Sequence, residues 1–135
     1  MNTIVKTLMQ ERFGHDSLIA LATQEDGVPS VRAVNAVYMD GAFYCITDTR
    51  SNKMRQIEKS NVVGLCGEWF TGHGRGESFG WIGAKENEAI AMMLREAFAS
   101  WLSNGHVSEA DENTIIFKIT LTDGVLMSHG TRYEF

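Results

Sequence analysis

The first third of the chain changes from helical to strand periodicity. Apolar residues between positions 4 and 13 recur at helical spacing, and Gly14 can end that helix. The three runs that follow have the length and composition of strands: residues 18–23, 31–38 and 42–47. Asp26-Gly27 and Asp40-Gly41 separate these runs, and both dipeptides favour tight hairpin turns. The pattern predicts a helix followed by an antiparallel meander of strands.

The rest of the chain predicts two more helices and several more strands. The helices cover about residues 52–59 and 85–102, and the second carries one continuous apolar stripe. The predicted strands are residues 62–69, 78–84, 114–121 and 125–128. Residues 71–76 are glycine-rich and are predicted to form a flexible link, and Asp123-Gly124 is predicted to form a turn.

Consecutive strands with so few helices do not suit a parallel doubly wound sheet. They favour a mainly β (α+β) fold, in which a six- or seven-stranded antiparallel β-barrel is flanked by helices. The length of 135 residues predicts a single domain, residues 1–135, and the apolar fraction of 44% is enough for one core.

Charge and hydropathy narrow the classes of partner. The formal net charge of −5 argues against non-specific nucleic-acid binding, which needs a basic surface. No segment has the apolar length of a membrane span or the cleavage pattern of a signal peptide, so we expect no membrane partner and a cytoplasmic location. A small anionic ligand stays compatible with this composition, because it needs only a local cluster of donors.

Cysteine and histidine positions predict no metal site. Cys45 and Cys66 lie in apolar runs and are predicted to be buried free thiols. His73, between glycines, is predicted to be an exposed loop residue, and Trp69 belongs either to the core or to an interface. No Cys/His cluster has zinc-ligand spacing.

The polar turn between residues 47 and 53 carries the main candidate chemistry. Ser51 is placed to cap the following helix, while Lys53 lies in the first helical turn, where a cation is unfavourable unless an anion binds there. Arg32 lies in the middle of a strand that is expected to be half-buried, and a buried arginine is stabilised by an anion. Further hydroxyls and charges come from Thr47, Thr49, Arg50 and Arg55. These residues suit a phosphate site, but polar turns that only cap a helix are common and remain an alternative.

The order of these features resembles the pyridoxamine 5′-phosphate oxidase-like family, the FMN-binding split barrels. In that family a glycine-x-proline-x-x-arginine strand precedes an aspartate-glycine hairpin, an aromatic strand, a serine-x-lysine turn and a short helix. The later segment WIGAKENEAI also resembles the strand, glycine and helix that follow in the family. The matching residues here are Gly27, Pro29, Arg32, Asp40-Gly41, Phe43-Tyr44, Thr47, Ser51, Lys53 and Gln56-Ile57-Glu58.

This resemblance implies a homodimer with FMN at the subunit interface. Arg32 and Lys53 would contact the FMN phosphate, and a residue near Ser78 of the other subunit would reach the flavin. The remaining contacts implied are the backbone or side chains of Ala33, Val34, Asn35, Ala36, Val37, Ile46, Thr47, Ser51 and Asn52.

Two departures from the family pattern bear on activity. Val37 stands where the vitamin B6 enzyme has a substrate-binding lysine, and the C-terminal SHGTRYEF lacks that enzyme's arrangement of arginine and histidine. The chain is therefore more similar to the short, general-stress-protein branch than to the true oxidase. The predicted function is hydride transfer through FMN, from a nicotinamide or a reduced substrate, with no catalytic side chain identified. The alternatives are a non-catalytic flavin-binding or sensing dimer, or a deazaflavin- or haem-handling split barrel.

Overall fold

Seven antiparallel strands and three α-helices make up the fold in the computed structural model, which describes residues 1–135. In chain order the elements are α1 (Thr3–Phe13), β1 (Ser17–Glu25), β2 (Val28–Met39), β3 (Ala42–Asp48), α2 (Asn52–Lys59), β4 (Val62–Gly67), β5 (Phe70–Trp81), a 3₁₀ turn (Lys85–Asn87), α3 (Glu88–Ala97), β6 (Thr114–Ser128) and β7 (Thr131–Glu134).

Six of the strands close into a barrel. The order around the ring is β3-β2-β1-β4-β5-β6, and β6 pairs with β3 to complete it, while β7 is an extra strand on β6. The closing pair joins Ala42–Asp48 to Thr114–Thr120. The predicted antiparallel barrel of six or seven strands is confirmed, and so are both aspartate-glycine hairpins and the bounds of α2.

The sequence predicted that the glycine-rich segment 71–76 is a flexible link. This prediction is wrong, because the segment is part of β5. Its alternate glycines face the barrel interior, where neighbouring side chains leave no room for a methyl group. A Cβ at Gly76 would lie 2.6 Å from Phe117 Cζ, and one at Gly74 would lie 2.8 Å from the carbonyl oxygen of Thr120. Glycine is needed here for space, because a small barrel must fit aromatic side chains inside it.

Three predictions in the C-terminal half were also wrong. Strand β6 continues through Asp123-Gly124, with an irregular register opposite His73, and the turn lies instead at His129-Gly130. The last strand is therefore β7, and residues 125–128 belong to β6. The long helix is limited to α3, because residues 85–87 are 3₁₀ and the chain beyond residue 97 continues in turns.

Two hydrophobic clusters form the core. The larger fills the barrel, with Phe43 and Phe117 fully buried, and is covered at one end by α1 and at the other by α2. The smaller lies between α3 and the outer surface of the barrel, around Val37, Ile116 and Phe98. Helix α2 closes the barrel at the end where β1 and β3 finish, and a hydrogen bond between its Gln56 and Thr23 connects it to Arg32 on β2.

Candidate functional site at the opening between β2 and β3

Strands β2 and β3 separate soon after their hairpin. They pair only from Val37–Met39 to Ala42–Tyr44, whereas β2 pairs with β1 over its whole length from residue 28 to 36. Beyond Tyr44, β3 pairs with β6 alone. One edge of β2, over residues 28–36, is therefore left without a neighbouring strand. Such an edge presents unpaired backbone N–H and C=O groups that a ligand can use.

Arg32 lies half-buried along this open part of β2, as the register partner of the buried Leu21. Its Nη1 donates to the carbonyl oxygen of Leu21 at 3.2 Å and to Thr23 Oγ1 at 2.8 Å. No carboxylate lies within ion-pair distance, and burial lowers the pKa of the Arg32 guanidinium. The Nε and Nη2 groups have no protein partner, and together they form the edge that binds carboxylate or phosphate with two hydrogen bonds.

Lys53, in the first turn of α2, is the second unpaired cation of the opening. Its side chain is half-buried and forms no hydrogen bond or ion pair. Burial lowers the pKa of Lys53, and the charge of Arg32 lowers it further, while Cys45 and Asp48 act in the opposite direction. The two like charges thus repel each other, and neither has an ion-pair partner. A bound anion would relieve both their desolvation and their repulsion.

The N-terminus of α2 adds backbone donors beside Lys53. The N–H of Arg55 is the first that bonds within this helix, to the carbonyl oxygen of Ser51 at 3.1 Å. The N–H groups of residues 52–54 therefore need other partners. Ser51 occupies the predicted N-cap position, but the predicted capping hydrogen bond is absent, because its hydroxyl donates to the carbonyl oxygen of Asp48 at 2.8 Å. The uncapped helix end suits an anion.

Arg50 and Arg55 do not join this cluster, although the sequence suggested that they add charge to it. Arg50 lies 2.7 Å from Asp48 and 3.0 Å from Asp111, and Arg55 lies 2.6 Å from Glu25. Hydrogen bonds from Arg50 lower the pKa of Asp48 to about 2, and those from Arg55 and Lys59 do the same for Glu25. The charges of both arginines are balanced within the protein.

The other predicted contact residues lie on both faces of β2 and β3. Val34 and Ala36 face the barrel interior on the same side as Arg32. Ile46 and Thr47 lie half-buried on β3, across the opening. On the outer face, Ala33 is exposed, Val37 is buried beneath α3, and the Asn35 amide donates to Asp16 Oδ1 at 2.9 Å. The Trp101 indole donates to the other oxygen of Asp16 at 3.0 Å, which ties the turns after α3 to this region.

Ser78 lies on the far side of α2 from Arg32. It borders a separate groove of about 280 Å³, whose floor includes Met54 and Ile115 and whose rim carries Glu58 and Glu77. Two carboxylates without ion-pair partners make this groove unfavourable for phosphate. Within one chain, Ser78 is therefore not part of the site at Arg32 and Lys53, and its contact with a flavin held by a second subunit stays a prediction.

The roles of two buried polar residues behind Arg32 were not predicted from the sequence, although Gln56 belongs to the motif Gln56-Ile57-Glu58. Thr23 on β1 accepts from Arg32, and its hydroxyl donates to Gln56 Oε1 on α2. The available signal was a threonine at an inward position of β1, where the other inward residues, Ile19 and Leu21, are apolar.

An apolar patch covers the outer surface of β2, β1 and β4. Leu18 and Val31 are 67% and 66% exposed, and between them lie the small side chains of Ala20, Ala22 and Ala33. Cys66 adjoins them as the register partner of Ala20 and is exposed, so the prediction of two buried thiols holds only for Cys45. Burial raises the pKa of the Cys45 thiol to about 12.

Histidines and acidic residues do not assemble into a metal centre. No group of three or more His, Cys, Asp or Glu side chains is arranged to hold a metal ion. His73 is exposed, although it lies on a strand and not in a loop, with Nδ1 2.9 Å from Asp123 Oδ1. None of the helices combines the length and apolar character that crossing a membrane requires.

Comparison with known proteins supports the fold but does not assign a function. No family model and no curated protein matches the sequence. Among solved structures, an FAD-binding protein from Mesorhizobium loti matches with a TM-score of 0.70 and 14% identity, over 92% of both chains. A NimC/NimA family protein from Clostridium acetobutylicum matches with a TM-score of 0.70 and 18% identity, over 94% of this chain and 93% of that one.

A third match is a protein from the same Clostridium species related to general stress protein 26, of the pyridoxinephosphate oxidase family. Its TM-score is 0.66 at 20% identity, over 98% of this chain and 92% of that one. These likenesses confirm, for the fold, the resemblance to pyridoxamine 5′-phosphate oxidase-like split barrels. Identities of this size do not carry a function from one chain to another.

Proposed function

We propose that the protein binds FMN, with the terminal phosphate between Arg32 and Lys53 and beside Ser51 and Asn52 at the start of α2. The observation that carries this proposal is the pair of half-buried, unpaired cations at an uncapped helix N-terminus. A dianionic phosphate matches this donor set in charge and in hydrogen-bonding capacity. The similar structure from Mesorhizobium loti is that of an FAD-binding protein, which is consistent with binding of a flavin.

The open edge of β2 is the natural place for the rest of the cofactor. Unpaired backbone groups between Arg32 and Ala36 would hydrogen-bond the ribityl chain and the polar edge of the ring system, with Ile46 and Thr47 on the opposite side. Val37 can take part only through its backbone, because its side chain is buried beneath α3.

We propose an oxidoreductase that uses this cofactor. Bound FMN supplies the hydride-transfer chemistry, and the residues of this chain bind it, orient it and limit the access of water to it. A nicotinamide or another small reduced molecule would be the donor. The second candidate is a dimer that holds flavin without turnover. This second candidate is favoured because no side chain at the opening has an evident role as a general acid or base.

Cofactor identity and turnover are tested in sequence on the purified protein. We expect a flavin absorption spectrum or, for protein purified without cofactor, quenching of FMN fluorescence on titration. Mass spectrometry of the released small molecule distinguishes FMN from FAD, a deazaflavin or haem. Failure to bind any flavin would refute the proposal. Anaerobic reduction by NADH or NADPH then supports the enzyme, and bound flavin that neither nicotinamide reduces supports the holding dimer.

The apolar patch around Leu18 and Val31 supports a further proposal, that two copies associate through this face, bringing Ser78 of one near the flavin of the other. Exposed apolar patches of this kind mark association sites. Light scattering should show a dimer for the wild-type protein and a monomer for the double variant Leu18→Lys, Val31→Lys. Met92 on α3 is 63% exposed and outside the patch, so Met92→Lys is the matched control and should remain dimeric.

A further inference from the structure

Behind Arg32 lies a buried polar pair in an otherwise apolar barrel. Thr23 is 3% exposed and Gln56 is 6% exposed, and their neighbours are core residues such as Leu21, Met54 and Ile57. A hydroxyl and an amide at such positions cost free energy unless each is hydrogen-bonded. Their presence needs a reason beyond packing, since a valine and a methionine would fill similar volumes.

The direction of the hydrogen bonds gives each group a distinct role. A guanidinium can only donate, so the Thr23 oxygen accepts from Arg32 Nη1 and the Thr23 proton is free to be donated. Gln56 accepts that proton through Oε1, which also fixes the orientation of its amide. The chain from Gln56 to Arg32 thus holds Nη1 in place and leaves the Nε and Nη2 edge of Arg32 available.

The same chain connects the two elements that carry the cations. Gln56 follows Lys53 by three positions and so lies on the same side of α2. Through Thr23 on β1, α2 is tied to Arg32 on β2. Arg32 and Lys53 are both cations and cannot bond to each other, so this buried connection helps to set the spacing between them.

We propose that Thr23 and Gln56 are positioning residues, which hold Arg32 beside Lys53 in the arrangement that binds a terminal phosphate monoester. This inference rests on the proposed function. It assigns the preference for a phosphorylated flavin over an unphosphorylated one to residues that never touch the cofactor. Preorganising a donor in this way improves affinity because less freedom is lost on binding.

The test compares FMN with riboflavin, which has the same ring and ribityl chain without the phosphate. Thr23→Val removes the hydroxyl at nearly constant volume and should weaken FMN binding by about tenfold. Riboflavin binding should be unchanged, and Thr23→Ser should restore the preference for FMN. Gln56→Met provides a second variant with the same expected result, should Thr23→Val fail to fold.

Ser128→Ala is the matched control, because it removes another buried hydroxyl at the opposite end of the barrel. It should lower stability without altering the FMN-to-riboflavin affinity ratio. If the wild-type protein prefers FMN and the folded Thr23 and Gln56 variants keep that preference, the positioning role is wrong and the proposed function stands. If the wild-type protein binds neither flavin, or binds both equally, the phosphate site itself is wrong.

Discussion

Two seams of the barrel, each formed by a pair of neighbouring strands, differ in how completely the strands pair. Strands β5 and β6 pair from Phe70 to Trp81, with two local irregularities, and the inward glycines of β5 let the side chains of β6 fill the interior. Strands β2 and β3 pair only next to their hairpin and then separate. At the β5–β6 seam, glycines without side chains allow close packing. At the β2–β3 seam, backbone hydrogen bonds are missing, and the resulting opening is lined by cations without ion-pair partners.

This difference indicates which residues serve stability and which serve binding. At the β5–β6 seam, a substitution should change the free energy of unfolding. At the β2–β3 opening, a substitution should change anion affinity more than stability, because neither Arg32 nor Lys53 has an ionic partner to lose there.

The largest expected effect is at the opening. Arg32→Met should weaken FMN binding by about a hundredfold, because a charged hydrogen-bond partner contributes roughly 1.5–3 kcal/mol. Lys53→Met should act in the same direction. Fluorescence titration measures the affinity, and urea unfolding checks that the variants are folded.

Arg55→Met is the matched control for this experiment, since Arg55 lies on the same helix but is paired with Glu25. It should leave FMN affinity within about twofold of the wild type, as expected for a surface ion pair. Equal losses in all three variants would mean that general charge, and not the opening, determines the affinity.

At the closed seam, Gly74→Ala should lower the free energy of unfolding by about 2 kcal/mol, because overpacking forces the surrounding structure to shift. Its Cβ would lie 2.7 Å from Ile119 Cγ2 and 2.8 Å from the backbone oxygen of Thr120. Gly64→Ala on β4 is the control, since its Cβ would make an ordinary 3.5 Å contact with Ala22. Urea denaturation should show no loss for this control, and equal losses would contradict the role assigned to the glycines of β5.

A smaller effect is expected from pH at the opening. Burial, followed by the charge of Arg32, lowers the pKa of Lys53, so Lys53 loses its proton at a lower pH than an ordinary lysine. The FMN-to-riboflavin affinity ratio should therefore fall as pH rises through this lowered pKa, which lies below the ordinary value of about 10.4. Between the two pKa values the unfolded chain binds more protons, so the stability of the cofactor-free protein should rise with pH. Both trends should disappear in Lys53→Met.

The smallest expected effect is at the exposed ion pairs. Hydrogen bonds from Arg55 and Lys59 lower the pKa of Glu25 to about 2, so their contribution is present above the ordinary glutamate pKa and is lost as pH falls toward 2. Glu25→Gln should change the melting temperature only slightly at neutral pH. A loss as large as that of Gly74→Ala would show that this surface network supports the barrel end.

Local sequence signals predicted the parts of the molecule that depend on neighbouring residues. The bounds of α2, the two aspartate-glycine turns, and the candidate cations Arg32 and Lys53 all follow from short patterns. The glycines of β5 were misassigned because their role depends on Phe117 and Ile119, which come from a distant strand. A glycine that provides space and a glycine that provides flexibility have the same local pattern.

The site was only partly predictable for the same reason. Arg50 and Arg55 were grouped with Lys53 because they are neighbours in sequence. Yet Glu25 balances the charge of Arg55 from a distant part of the chain, and Arg50 is paired both with nearby Asp48 and with distant Asp111. The hydrogen bond between Thr23 and Gln56 joins β1 to α2, which are separated in the chain by β2 and β3. No local sequence pattern predicts this bond.

The pairing that closes the ring also has a consequence for folding kinetics. The pairing of β3 with β6 joins segments that lie far apart in the chain, whereas β1, β2, β3 and α2 are consecutive. Contacts between distant segments form slowly, because the entropy of closing the intervening loop is lost first. We expect pulse-labelling hydrogen exchange to show protection in β1 and β2 before β6. In that order of events, Thr23, Arg32, Lys53 and Gln56 meet early, and the anion they bind could assist the barrel that later closes around them.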